Sequence, residues 1–383
     1  MSAQGSFRTG RPTRALVLTG GGARAAYQVG VIKAMSEWMP VGAPLPFRVI
    51  CGTSAGAIIG SVLAAHANHF KDGATTVERF WSHFRVGQVW RNNLGAVASA
   101  ALRWFGALCT GGAVVRPPHS LFDNSPLRQT LELHVNFARV QQALERRELD
   151  ALAINASPYQ GPRSRTYVMT RSEDFAEVQH GTFGERADLT LDHLMASAAV
   201  PFLFPAVRLE DGYYGDGAMR QREPLAPALG LGADRILVLG VRGPTAGRAA
   251  SGDGPTEPSF GQIVGFMLDT LFSSGIREDL ERIERDNEWI AVAGASVPNR
   301  RPVRTLLIEP STDPGELVAA HAPAMPFEVR LLMRFLGAAN RGGRLLLSYL
   351  LFEGPYAREL IALGYADAQA QKSALQSFLS NDE

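Results

Sequence analysis

Short apolar runs recur along this chain, each set off by glycine, proline or charged residues, with helix-forming stretches between them. The first run is Ala15–Thr19, followed by Gly20-Gly21-Gly22 and a helical stretch over 23–39. The second is Phe47–Cys51. Strand, glycine loop, helix and strand predict a βαβ opening, and that connection implies a parallel pair. Further strands are expected at Leu149–Asn155, Thr166–Thr170, Pro205–Leu209, Arg235–Val241 and Val303–Glu309. Beyond Glu309 the pattern turns helical, with apolar residues at helical spacing over Glu328–Leu336 and Arg344–Phe352. The alternation predicts an α/β fold, a mostly parallel central sheet with helices on both faces. No internal repeat is visible.

Two segments break the alternation. Residues 242–261 are rich in Gly, Pro, Ala and Ser and read as a mobile surface loop. Residues 86–118 mix small apolar residues with Trp90, Trp104 and Phe105 and with Arg91, Arg103 and Arg116. They read either as an amphipathic cap that covers a site and touches lipid, or as a buried helix pair. The start, residues 1–13, is polar and basic without an apolar centre, which suits a flexible tail and not a secretory signal. No apolar run reaches membrane-spanning length, since Arg103 interrupts the closest one, Leu94–Cys109. A soluble cytoplasmic protein is expected, with peripheral membrane contact left open.

Composition narrows the function classes. In 383 residues, 46% hydrophobic and 20% charged content is enough for a sizeable core. The balance of 38 basic against 37 acidic residues gives a formal charge of +1, without the basic excess of a nucleic-acid binder. Cys51 and Cys109 are too few for a disulfide framework or a zinc site, and no metal or cofactor is signalled.

The chemistry is carried by three glycine-flanked turns. Gly52-Thr53-Ser54-Ala55-Gly56 follows the second strand and opens a helix, the setting of a nucleophile elbow. Its glycines clear space beside the turn, and the helix start favours the alkoxide-like state of an attacking serine. A plain capping serine would use the same residues. Gly20-Gly21-Gly22-Ala23-Arg24 can turn bare backbone N–H groups toward an anion. Tyr214-Gly215-Asp216-Gly217-Ala218 holds a carboxylate in a tight turn, where an aspartate also serves as a turn cap.

Together these resemble the patatin-like phospholipase family, with its glycine-rich oxyanion loop, G-x-S-x-G serine and aspartate in a D-G-[AG] turn. Ala196–Pro205 is similar to the family's A-S-x-A-x-P-x-x-F-P signature, and Leu121–Leu127 to another recurring stretch. The resemblance runs from about Ala15 to about Gly230. It implies a catalytic domain over 14–230, with 231–383 as a continuation whose strands complete the sheet and whose helices extend from about 310. It also implies Ser54 as nucleophile, Asp216 as base and an oxyanion hole from Gly20, Gly21 and Gly22, with the Ala55 N–H as a further donor. The implied substrates are fatty-acyl esters of lipids. One departure is Ala25, where the family's loop ends in glycine, so the loop geometry is where a difference is expected.

Four residues stand beside this set. Arg24 either attracts a phosphate head group or pairs structurally with a carboxylate. Ser197 and Pro201 are expected to shape the turn near the site. His193, after Thr190 as a helix cap, reads as a partly exposed helical histidine, and it is also the one that a Ser–His–Asp triad would need. Other readings remain. Gly20-x-Gly22-x-x-Ala25 fits a relaxed dinucleotide fingerprint, but the second strand ends in the Ser54 turn and not in a ribose-binding acid. A lipid-binding protein without activity would keep the same pocket, and a carboxylesterase or thioesterase would share the whole apparatus.

Overall fold

The computed structural model describes residues 12–91, 95, 120–171, 183–244, 257–273, 275–293, 301–338 and 343–380. The strands are β1 (Arg14–Leu18), β2 (Val49–Thr53), β3 (Ala151–Pro158), β4 (Arg165–Thr170), β5 (Phe183–Arg186), β6 (Val207–Leu209), β7 (Gly212–Asp216), β8 (Arg235–Leu239) and β9 (Arg304–Ile308). They form one sheet in the order β5-β4-β3-β2-β1-β8-β9, with the β6–β7 hairpin joined to β3. The pairs from β3 through β9 along this path are parallel, with Leu16 opposite both Ile50 and Leu237. β4 and β7 run antiparallel to β3, so the sheet is mixed but mostly parallel.

Strand alternation sends side chains to two cores. Leu16, Leu18, Ile50, Leu152 and Ile154 face one core. It includes residues of α1 (Ala26–Trp38), α2 (Ala55–Ala64), α3 (Phe70–Ser82), α4 (Ser125–His134), α5 (Phe137–Glu145) and α6 (Leu191–Ser197). Ala15, Val17, Val49, Cys51 and Val238 face the other, closed by α7 (Ala226–Gly230) and by Ile276 and Ile283 further along the chain. Helices therefore lie on both faces, as the alternation requires.

The C-terminal region is built into this plan. β8 and β9 extend the sheet beside β1. After β8 come α8 (Phe260–Ser273) and α9 (Ile276–Ala293), and after β9 come α10 (Pro314–His321), α11 (Phe327–Phe335), α12 (Arg344–Leu350), α13 (Gly354–Ala370) and α14 (Lys372–Leu379). α13 packs against α1. Their backbones approach so closely that a methyl group on Gly30 would stand 2.0 Å from the Ile361 carbonyl oxygen.

The strands expected from the sequence all form, with ends shifted by a few residues. β5 and β7 were not expected. Both are short, and β7 carries two glycines, which weakens its strand signal. The expected loop over 242–261 lies mainly outside the described residues, but Phe260 and Gly261 already belong to α8. The expected tail and most of 86–118 also lie outside them. Of that second segment, Trp90 is fully buried and stacks on Phe122 with ring centres 4.9 Å apart. No helix among the described residues is long and apolar enough to cross a membrane.

Candidate active site

β2 ends at Thr53, and α2 begins at Ala55, so Ser54 alone makes the turn. Its backbone is driven to φ 54° and ψ −126°, a strained conformation for a residue with a side chain. The flanking glycines are required by space. A methyl on Gly52 would stand 2.5 Å from the Ala57 Cα, and one on Gly56 would stand 2.3 Å from the Leu18 carbonyl oxygen. The Ser54 N–H donates to the Ser197 hydroxyl at 2.9 Å, so the end of α6 braces the elbow. Cys51, one strand position away from the turn glycine, is buried, and burial pushes its thiol up to about 12. It is an inert core residue.

Sheet pairing brings Asp216 to the serine. Along β3, Asn155 pairs with Thr53 of β2, and the next residue, Ala156, pairs with Asp216 of β7. β7 therefore takes over the edge of β3 where β2 leaves it for the elbow. Asp216 is fully buried. Its Oδ1 accepts the Ala218 N–H at 2.9 Å, while Oδ2 is buried without a partner among the hydrogen bonds of standard geometry. Burial raises the carboxyl from 3.8 to about 7, opposed by the Ala218 N–H and by hydrogen bonding with the Ser54 side chain. A buried carboxyl poised near neutrality with a serine hydroxyl beside it is suited to take that hydroxyl's proton.

Beneath the pair runs a buried polar chain. Thr53 donates to Gln221 at 2.9 Å and accepts from Asn155 at 3.0 Å, and Asn155 accepts from Thr166 at 2.5 Å. Such chains are costly if incomplete, so this one fixes the ends of β2, β3 and β4 relative to the turn that follows Asp216. The sequence pattern did not single out Asn155 or Gln221.

The glycine loop lies over the elbow. A methyl on Gly20 would approach the Ser54 Cβ to 3.2 Å and the Phe272 ring to 2.6 Å. Gly22 has φ 51°, and a side chain there would strike the Tyr349 carbonyl. Gln28 holds the start of the loop, donating to the Thr19 and Leu239 carbonyls at 3.0 and 2.9 Å. Ala55, first residue of α2, has an N–H with no intrahelical partner by position. Ala25 is fully buried at the end of the short helical turn Gly22–Ala25, and the core accommodates its methyl group.

Arg24 corrects one of the two expectations for it. It is fully buried, with Nε donating to the Ser348 hydroxyl at 2.7 Å and the guanidinium 3.6 Å from Asp269 and 3.7 Å from Asp313. The group also lies 4.1 Å from the centre of the Tyr349 ring. A cation so enclosed holds the loop to the C-terminal helices and does not reach a head group in solvent. His193 is likewise engaged elsewhere, with Nδ1 against the Thr190 N–H and hydroxyl and its ring on Tyr167.

An apolar cavity of about 40 Å³ is lined in part by Ser54, Gly22 and Ala55. Val200, Leu203 and Phe204 wall it from the region of the signature stretch. Leu268, Phe272, Tyr349, Leu350 and Phe352 wall it from the C-terminal region. The helical spacing over Arg344–Phe352 was visible in the sequence, but nothing in it pointed to the site.

Comparison with known proteins finds a family match and several relatives. The family described as patatin-like phospholipase matches residues 16–229. A lysophospholipase NTE1 of Chaetomium globosum is 41% identical over 76 residues, which is 20% of this chain and 4% of that protein. A cGAMP-activated phospholipase of Pseudomonas aeruginosa is 25% identical over 281 residues, covering 70% of this chain and 73% of the relative. Among solved structures, human GIVD cytosolic phospholipase A2 aligns over 96% of this chain and 59% of its own, with 13% identity and a TM-score of 0.42. With the family match spanning more than half of its length, the chain belongs to the patatin-like phospholipase family.

Proposed function

We propose that this chain is a serine acyl hydrolase that cleaves fatty-acyl esters of phospholipids or lysophospholipids through Ser54 and Asp216. The observation that carries the reading is the fully buried Asp216 carboxyl, held near neutrality beside a serine that lines an apolar cavity. Asp216 accepts the Ser54 proton as the hydroxyl oxygen attacks the ester carbonyl. The oxyanion that forms is met by N–H groups of Gly20–Gly22 and Ala55, where one donor is typically worth about 3 kcal/mol. Collapse expels the alcohol, which takes the proton from Asp216. Water, deprotonated by the same carboxylate, then hydrolyses the acyl-serine.

The acyl chain fits the apolar walls around Phe204, Phe272 and Phe352. The small volume of the cavity favours a second reading, a carboxylesterase of short acyl groups. Hydrolysis of p-nitrophenyl esters of increasing chain length and of lysophosphatidylcholine separates the two. Wild type, Ser54→Ala and Asp216→Asn are compared, each with its fold verified. Activity in the wild type that vanishes in both variants is expected, and robust activity in Ser54→Ala would sink the mechanism.

A further inference from the structure

Helix α8 has two contrasting faces. Its inner face supplies Leu268 and Phe272 to the cavity that holds Ser54. Its outer face carries Phe260, Ile263, Phe266 and Met267, between 47% and 66% exposed and grouped on one side by helical spacing. The helix's one ionisable residue, Asp269, is buried on the inner side, where it accepts from the Tyr349 hydroxyl at 2.9 Å and faces Arg24 and Arg242. The outer face is therefore uncharged and mainly apolar, with the exposed Thr270 turning its hydroxyl back to the Phe266 carbonyl. Phe335, the exposed last residue of α11, stands near the first turn of α8, since the next residue, Leu336, accepts the Gly261 N–H at 2.6 Å.

We propose that this face of α8, with Phe335, docks on a phospholipid bilayer. The proposal rests on the acyl-hydrolase reading, which makes a bilayer the source of substrate. An apolar patch of this kind on a water-facing helix calls for a partner, and depth favours lipid. Apolar faces of interfacial helices sink roughly 5–10 Å, to the boundary of head groups and acyl chains. That boundary is where the ester bonds lie. One helix diameter, about 10 Å, separates the docked face from the cavity. Charge points the same way. Exposed Arg334 precedes Phe335 at one end, and Arg220 and Arg222 line an open cleft of about 980 Å³ with Gly275 beyond the other end. Glu223 and Glu278 share that cleft, and Glu223 pairs with Arg282. Apolar residues flanked by cations suit an anionic lipid surface.

The test is sedimentation of the full chain with vesicles of phosphatidylcholine, alone or mixed with phosphatidylglycerol. Wild type is compared with the double variant Phe266→Ser, Met267→Ser and with Leu133→Ser, which removes an exposed apolar residue on α4. All three are also assayed on a dissolved short-chain ester and on vesicle phospholipid. Wild type and Leu133→Ser are expected to bind alike. The double variant is expected to bind roughly tenfold more weakly or worse, lose vesicle hydrolysis in step, and keep dissolved-ester hydrolysis within about twofold. Tighter binding to the phosphatidylglycerol vesicles supports the flanking arginines, and equal binding removes them from the proposal. The proposal is overturned if the double variant binds vesicles as wild type does. It also fails if wild type hydrolyses the dissolved ester but binds neither vesicle. If the double substitution splits a wild-type dimer and leaves vesicle binding intact, the face belongs to a second copy of the chain. A wild type that binds vesicles but hydrolyses no ester would count against the activity and not against the docking face.

Discussion

The region through Gly230 and the region from Arg235 meet at the site from different sides, and they hold their residues in place by different means. In the first, backbone geometry does the positioning. The strained turn at Ser54, the space denied by Gly52 and Gly56, and the succession of β2 by β7 along β3 fix Ser54 and Asp216 side by side. In the second, side chains do it. Asp269, Asp313, Ser348 and Tyr349 enclose Arg24, and Leu268, Phe272, Leu350 and Phe352 wall the cavity. Backbone demands restrict residue type severely, whereas apolar walls accept any set of similar volume. One region therefore bears a motif and the other does not, although both build the site.

The largest test of that division is Arg24→Ala, which breaks the link between the two. It leaves Asp269 and Asp313 facing an emptied, buried space, and a loss of about 3–5 kcal/mol in denaturant unfolding is expected. An unchanged stability would mean that the C-terminal helices stand apart from the catalytic region. Gly30→Ala presses on the other junction. The added methyl group would force α1 from α13, at a cost of about 1–3 kcal/mol, read as a lower melting temperature.

Phe352→Ala asks whether the motif-free region selects the substrate. Preference for a decanoyl over an acetyl ester, as a ratio of kcat/KM, should fall by about 1–2 kcal/mol while the acetyl ester is little affected. Equal losses on both esters would place Phe352 in the support of the loop and not in selection.

The pH dependence isolates the backbone-built half. Below about pH 7 the buried carboxyl is protonated and cannot act as base, so kcat/KM should fall about tenfold for each further unit. Stability carries the opposite sign. The folded state holds this proton up to about pH 7, and the unfolded chain releases it near 3.8. The contribution to stability is thus complete below 3.8 and lost as pH rises to about 7. Asp216→Asn should lack both dependences. Denaturant titrations of the two proteins at pH 5 and pH 8 read the difference.

What was legible in the sequence follows the same line. The opening βαβ unit and the elbow are short-range patterns, and each demands particular residues within a few positions. Asp216 was found through its glycine turn, but the strand before it was not, because β7 is held by partners far along the chain. Arg24 admitted two readings since the residues that decide between them lie 324 and 325 positions away. α8 follows a glycine- and proline-rich stretch, and its apolar residues on two faces gave no single amphipathic stripe to read.

The backbone at Ser54 has a further consequence for how such a protein can change. A serine at φ 54° and ψ −126° is held in a conformation that costs on the order of 1–3 kcal/mol, and glycine would adopt it more readily. Selection for heat resistance alone would therefore favour losing this serine, the proposed nucleophile. Only continued demand for turnover keeps a side chain at that position. Directed evolution for thermostability should monitor residue 54, because the stabilised variants that surface there would be the ones that no longer work.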